Sequence, residues 1–296
     1  MTNLPFRTYN DSCDLSLPLA IQIEITERCN CRCPFCYNNS GIAQKDKVPF
    51  TKWKELFYRL RELGGVFQYA FSGGEPLLYK KELLELMDIA HEDHAGLMLL
   101  TNGYYLDSAF IDKLRRYDWY WIQVSLDSSR ADIHDEIRGI KGSYKKAIDA
   151  LHLLRLAGIP TAISAVINQR NIDDIEGICQ IGYELGADLV MFSPVLAVGR
   201  ALKNPQLVLK GDMKCKYDVN VRKSIENHKH HLLVKSAQPY EVQIGKIDNV
   251  FPYGILIRPN GDVKLDCLSQ RIIGNVFDTP IEIIWQKTLE EGGWNK

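Results

Sequence analysis

Two hydrophobic periods alternate along the chain. Leu19–Thr26, reading LAIQIEIT, is largely apolar at every second position and predicts a strand. Phe50–Glu62 instead sets Trp53, Leu56, Phe57 and Leu60 at three- and four-residue spacing, which is one face of a helix. The exchange continues with strands at Val66–Ser72, Gly96–Thr101, Tyr120–Ser125, Thr161–Ile167 and Leu189–Ser193. Between them lie helical patterns at Lys81–His91, from Asp107, at Ser143–Leu156 and at Ile172–Leu185. Six strands joined through single helices call for parallel pairing with right-handed crossovers. Six units are too few to close an eight-stranded barrel. The expectation is an α/β fold, an open partial (β/α)6 barrel over residues 18–200, with its ligand site at the carboxyl ends of the strands.

After residue 200 the pattern changes. Residues 201–250 are mixed and polar, include His228, Lys229, His230 and His231, and read as irregular. Gly254–Asp266 reads as a hairpin around Pro259-Asn260-Gly261-Asp262. Residues 201–296 are therefore expected to form a smaller second region.

Composition narrows the function. The 296 residues carry 36 basic and 37 acidic side chains, a formal charge of -1, mixed throughout. That balance argues against a generic nucleic-acid or membrane-surface role. No run approaches a membrane span, and the first residues lack the layout of a signal peptide, so the expected location is the cytoplasm.

Of eight cysteines, four crowd into residues 29–36. In a cytoplasmic chain such crowding favours metal or redox chemistry over disulfides. Cys29, Cys33 and Cys36 have the spacing C-x3-C-x2-C. Three thiolates on one short loop can hold three corners of an iron–sulfur cubane and leave its fourth iron open. A structural zinc would need a fourth ligand; Cys31 is available, but as an intervening residue it is expected to point away. The Cys33-Pro34-Phe35-Cys36 subset also suggests a thioredoxin-like dithiol, which normally opens a helix and leaves Cys29 unexplained.

The strand ends carry further motifs: Ser72-Gly73-Gly74-Glu75-Pro76, Thr101-Asn102-Gly103, Ser125-Leu126-Asp127, His134-Asp135-Glu136-Ile137-Arg138-Gly139, Asn168, and Ser193-Pro194 followed by Gly199-Arg200-Ala201. With these, the segment Thr26–Tyr37 resembles the cluster loop of the radical S-adenosylmethionine superfamily, CxxxCxΦC, with Phe35 as the aromatic Φ. The resemblance implies a [4Fe–4S] cluster on Cys29, Cys33 and Cys36, with S-adenosylmethionine chelating the open iron. Cleavage to a 5′-deoxyadenosyl radical would follow, driven by an electron donor such as flavodoxin or ferredoxin. It also implies cofactor contacts. Gly73, Gly74 and Glu75 would meet the methionyl amine, Arg138 its carboxylate, and Ser125, in preference to Asp127, the ribose. Asn102 and Asn168 would lie beside the cofactor, and His134 would order its loop.

Residues 250–287 resemble the appended domain called SPASM, or its shorter twitch form, which implies that residues 201–296 cover the barrel mouth. Phe251 stands where that domain often has a cysteine, and no cysteine follows Cys267, so auxiliary clusters are not expected. Cys215 and Cys267 remain as thiols able to hand a hydrogen atom to substrate, and Cys215, in its polar stretch, is the expected catalytic one. The substrate expected is a ribosomally made peptide, modified by epimerisation, cross-linking or thioether formation. A sugar or nucleoside is the alternative, and a non-enzymatic zinc-binding protein is the alternative from another class.

Overall fold

The computed structural model describes residues 16–41, 48–237 and 254–290; Phe251 lies outside them. The strands are β1 (Ala20–Glu24), β2 (Gln68–Ser72), β3 (Gly96–Thr101), β4 (Trp119–Ser125), β5 (Thr161–Ile167), β6 (Leu189–Pro194), β7 (Leu233–Ser236), β8 (Gly254–Ile257), β9 (Asp262–Lys264) and β10 (Gly274–Asn275). The α-helices are α1 (Phe50–Glu62), α2 (Lys80–Glu92), α3 (Ser108–Leu114), α4 (Ala131–Arg138), α5 (Ser143–Ala157), α6 (Ile175–Leu185), α7 (Asp212–His228) and α8 (Ile281–Glu290). One sheet runs β10-β9-β8-β1-β2-β3-β4-β5-β6-β7. Every pair from β8 through β1 to β7 is parallel, while β9 and β10 are antiparallel additions. Among the described residues the edge strands β7 and β10 do not pair, so the barrel is partial.

The strand and helix faces follow the sequence pattern. Ile21 and Ile23 of β1, Tyr69 and Phe71 of β2 and Ile122 and Val124 of β4 are buried in the helix-facing core. Trp53, Leu56, Phe57 and Leu60 of α1 meet them, and Phe57 stacks on Tyr69 with ring centroids 4.8 Å apart. The opposite face of the sheet is half-buried and partly polar, with Gln22, Gln68, Met98, Gln123, Ser125 and Ser164. A parallel barrel takes its ligand where this inner face meets the carboxyl ends of the strands.

All six expected strands are present, but the stretch read as irregular is not. It contains α7 and β7, and β7 adds a seventh parallel strand beside β6. The buried face of α7 is Tyr217, Val221, Ser224 and His228, right in spacing but half polar in kind, so it gives little hydrophobic signal. The expected hairpin appears as β8 and β9. Its place in the sheet is a non-local fact: β8 pairs with β1. Among the described residues no helix is long and apolar enough to cross a membrane.

Candidate functional site

The cysteine loop leaves the carboxyl end of β1 and is tied down on both sides. On one side Gly74 N–H donates to Thr26 O at 2.7 Å and Glu75 N–H to Arg28 O at 2.8 Å. A Cβ at Gly74 would lie 2.1 Å from Arg28 O, and Gly73 adopts φ +142° with Thr26 O 2.7 Å from where its Cβ would be. The adjacent glycines thus let two loops lie backbone against backbone. On the other side Arg32 N–H donates to Arg138 O at 2.8 Å, and Arg200 holds Cys36 O through its N–H and Cys33 O through Nε, each at 2.9 Å. Asn204 Nδ2 reaches Pro34 O at 3.0 Å.

Cys31 and Cys33 are buried, whereas Cys29 and Cys36 are half-buried. Phe35 is buried with Ile137, Val195, Ala201 and Leu207 in a small apolar cluster under the loop. Cys31 does not point away. Its thiol hydrogen-bonds the sulfurs of Cys29 and Cys33, and Asn102 Nδ2 donates to it at 3.4 Å. The bonds from Cys31 pull the other two thiols down, Cys33 to about 6, and leave Cys31 itself raised. The Arg138 guanidinium, with Nη1 3.8 Å from Cys33 Sγ, acts in the same direction on Cys33.

The remaining strand-end residues brace one another. Glu75 is fully buried and accepts from Leu77 N–H, the Thr101 hydroxyl at 2.7 Å and Asn102 N–H at 2.8 Å. Burial pushes its carboxyl up, against those three donors. Asn102 Nδ2 also donates to Asn30 Oδ1 at 2.8 Å, which joins the third strand end to the cysteine loop. Asp127 and Arg138, expected to face the ribose and the methionyl carboxylate, are partners: Arg138 Nε lies 2.6 Å from Asp127 Oδ2, with Asp127 fully buried. Asp127 Oδ1 accepts from Val166 N–H at 2.8 Å. His134 Nδ1 accepts from Asp127 N–H at 3.1 Å; burial, then the Arg138 charge, lower the imidazole to about 4. Asn168 closes its own turn, accepting from Arg170 N–H and donating its N–H to Asn171 Oδ1. Ser125 stays half-buried on the inner face, in register with Ser164.

The two spare thiols separate. Cys215 is exposed in the first turn of α7, the helix that crosses from β6 to β7, and its neighbour Lys216 pairs with Asp173. Cys267 lies near Glu24, Lys264 and Tyr37, and burial pushes its thiol up to about 11.

Sequence reasoning missed Glu24, a fully buried carboxylate at the end of β1 that accepts from Tyr37, Asn38 and Arg258. A signal was there: Gln22 and Glu24 are polar on one parity of an otherwise apolar strand. A cavity of about 310 Å³, lined by Ile25, Arg28, Val48, Phe50, Trp53, Tyr79 and Glu82, lies beside the cysteine loop on its helix-facing side.

The profile of the radical SAM superfamily matches residues 23–181, which span the cysteine loop and the first strand ends. The chain belongs to the radical SAM superfamily. The PqqA peptide cyclase of Ruegeria pomeroyi is 33% identical to it over 193 residues, 65% of this chain and 51% of that protein. The mycofactocin maturase MftC of Mycolicibacterium smegmatis is 32% identical over 176 residues, 59% and 44%. The chain thus spans about half the length of the relatives it matches. In fold it is similar to Streptococcus suis SuiB bound to S-adenosylmethionine, with a TM-score of 0.74 at 17% identity over 91% of this chain and 66% of that one. It is similar also to anSMEcpe with bound AdoMet, with a TM-score of 0.72 at 19% identity over 92% and 82%.

Radical SAM enzymes use a [4Fe–4S] cluster and S-adenosylmethionine. The residues at this site fit that pair: soft sulfur donors on one loop, a guanidinium beside Cys33, and a loop backbone held from both flanks. Among the described residues no three or more His, Cys, Asp and Glu side chains are arranged around a single metal ion. A cubane does not ask for that, because its thiolates bind separate irons.

Proposed function

We propose that this radical SAM enzyme modifies a ribosomally made peptide by abstracting a hydrogen atom from it. One observation carries the reading: a C-x3-C-x2-C loop at the end of the first barrel strand, laid backbone to backbone on the Gly73-Gly74 turn. When bound, the cluster and S-adenosylmethionine supply a 5′-deoxyadenosyl radical. Cys29, Cys33 and Cys36 hold the cluster, and Cys31 is a bystander despite its sulfur contacts, since contact between thiols is not what ligation of separate irons requires. Gly73, Gly74, Asn102, Ser125 and Asn168 face the cofactor, with Phe35 packed beneath. Glu75, Asp127 and Arg138 act mainly by bracing the strand ends that carry those contacts.

A peptide substrate is supported by the names of the relatives and by a solved SuiB complex with the precursor peptide SuiA, which shares this fold with a TM-score of 0.73. The half-buried, partly polar inner face suits a peptide chain, which brings its own amides. The region after residue 200 contributes to the barrel mouth through Cys267 and Arg258, and for a thiol that hands a hydrogen atom to substrate Cys267 is better supported than Cys215. The enzyme works in the cytoplasm with a small electron-transfer protein, flavodoxin or ferredoxin, as reductant.

The test is anaerobic reconstitution. The parent and Cys31→Ala should hold about four irons per chain, the content of one such cluster, and form 5′-deoxyadenosine under reduction. Replacing Cys29, Cys33 and Cys36 together with Ala should abolish both. Loss of iron in Cys31→Ala alone would overturn the ligand assignment. With a native peptide in deuterated water, a Cys267 donor delivers one solvent deuterium to product and is left as a thiyl radical, which one electron from the external reductant and a solvent proton return to the thiol; Cys267→Ala removes that deuterium.

A further inference from the structure

Glu24 joins three segments that are far apart in sequence. It is the last residue of β1, on the inner face, with no exposed surface. Tyr37 Oη donates to Glu24 Oε1 at 2.8 Å, and Asn38 Nδ2 donates to Oε2 at 2.9 Å. Arg258 Nη1 reaches Oε2 at 2.9 Å from the turn between β8 and β9. Tyr37 and Asn38 are the two residues after Cys36, and Asn39 N–H returns to Cys36 O at 3.3 Å. The backbone of Cys36 is therefore gripped twice, by Arg200 on one flank and by this turn on the other.

The turn depends on the charge of Glu24. An ionised carboxylate accepts from every donor around it, whereas a protonated one turns one oxygen into a donor. In a buried place the ionised form needs a countercharge. Arg258, from the far end of the chain, is in direct contact with that carboxylate, and Lys264 of β9 adds a smaller positive influence from the same hairpin. Removing Arg258 leaves Glu24 either to take up a proton or to draw in water, and either change loosens Tyr37 and Asn38.

We infer that Arg258 is a positioning residue for the cluster, acting through Glu24 and the Tyr37-Asn38 turn on the Cys36 thiolate, so that the C-terminal hairpin sets cluster geometry although it ligates nothing. The inference rests on Cys36 being a cluster ligand.

Arg258→Ala and Glu24→Gln, reconstituted as full chains, should keep about four irons. Their reduced clusters should give electron paramagnetic resonance spectra shifted or broadened relative to the parent. Cleavage of S-adenosylmethionine should fall roughly tenfold, the scale of a small misplacement at a reacting centre. Arg258→Lys, which restores the charge, should recover the parent spectrum in part. Ile284→Ala separates this from simple destabilisation: Ile284 is buried against Gly274, away from Glu24, so it should lower thermal stability and leave the spectrum unchanged. A parent-like spectrum in Arg258→Ala, or the same spectral change in Ile284→Ala, would overturn the inference. Full iron in Cys36→Ala would instead overturn the ligand assignment beneath it.

Discussion

Three residues at the strand ends carry opposite demands, and the structure shows which demand wins. Arg138 and Asp127 are paired and buried, so each is first of all the other's countercharge. Asp127→Asn should cost about 3–5 kcal/mol in a denaturant melt, because an unpaired guanidinium remains inside. His134 makes the site sensitive to acid. Its imidazole is held near 4 against 6.5 in an unfolded chain, so between those values the unfolded state binds the extra proton. Its contribution is complete above pH 6.5 and is lost as the pH falls towards 4, about 3 kcal/mol in all. His134→Asn keeps an acceptor near the Nδ1 position and does not titrate, so its stability should be flatter over that range in melts at stepped pH. Gly74 is limited by space alone: Gly74→Ala drives a methyl into Arg28 O, and a loss of about 1–3 kcal/mol together with poorer iron retention is expected.

The elements that hold the cysteine loop differ in how visible they are. The glycine turn after β2 and the Gly199-Arg200-Ala201 segment both stand out in the sequence, the second only as a weak motif. Its part becomes clear from hydrogen bonds: a short 3-10 helix over Gly199–Lys203 puts Arg200 and Asn204 onto three carbonyls of the cysteine loop. Asn204→Ala should cost on the order of 1 kcal/mol and quicken iron loss to a chelator, with no change in the ligands themselves. The short helix α4 also escaped the pattern, because its buried face is His134, Ile137 and Arg138 and only one of the three is apolar. Its left-handed C-cap at Gly139 was legible as the Arg-Gly end of a motif, but not as a helix end.

At the scale of the whole molecule, the C-terminal region is part of the sheet. β8 lies between β1 and β9, and buries Ile255 and Ile257 in the main core. A chain ending at residue 237 should therefore expose a parallel edge of β1 and a strip of core. It should aggregate or melt well below the full chain, and a cooperative melt at the parent temperature would show that the region is separable. The strand–helix alternation, the helix-facing core and the end of the barrel that carries the cysteine loop were legible in the amino-acid order alone. Those depend on short-range periods and on which loop follows which strand, and both are local. Only the tertiary structure decided that Asp127 answers Arg138, that Cys31 meets Cys29 and Cys33, and that Arg258 answers Glu24. Arg258 meets a residue from the other end of the chain, and Arg138 meets Asp127 across a loop and a helical segment that has no clear apolar period. Cys31 is near its partners in sequence, but a loop without a repeating period leaves side-chain direction open until packing chooses it.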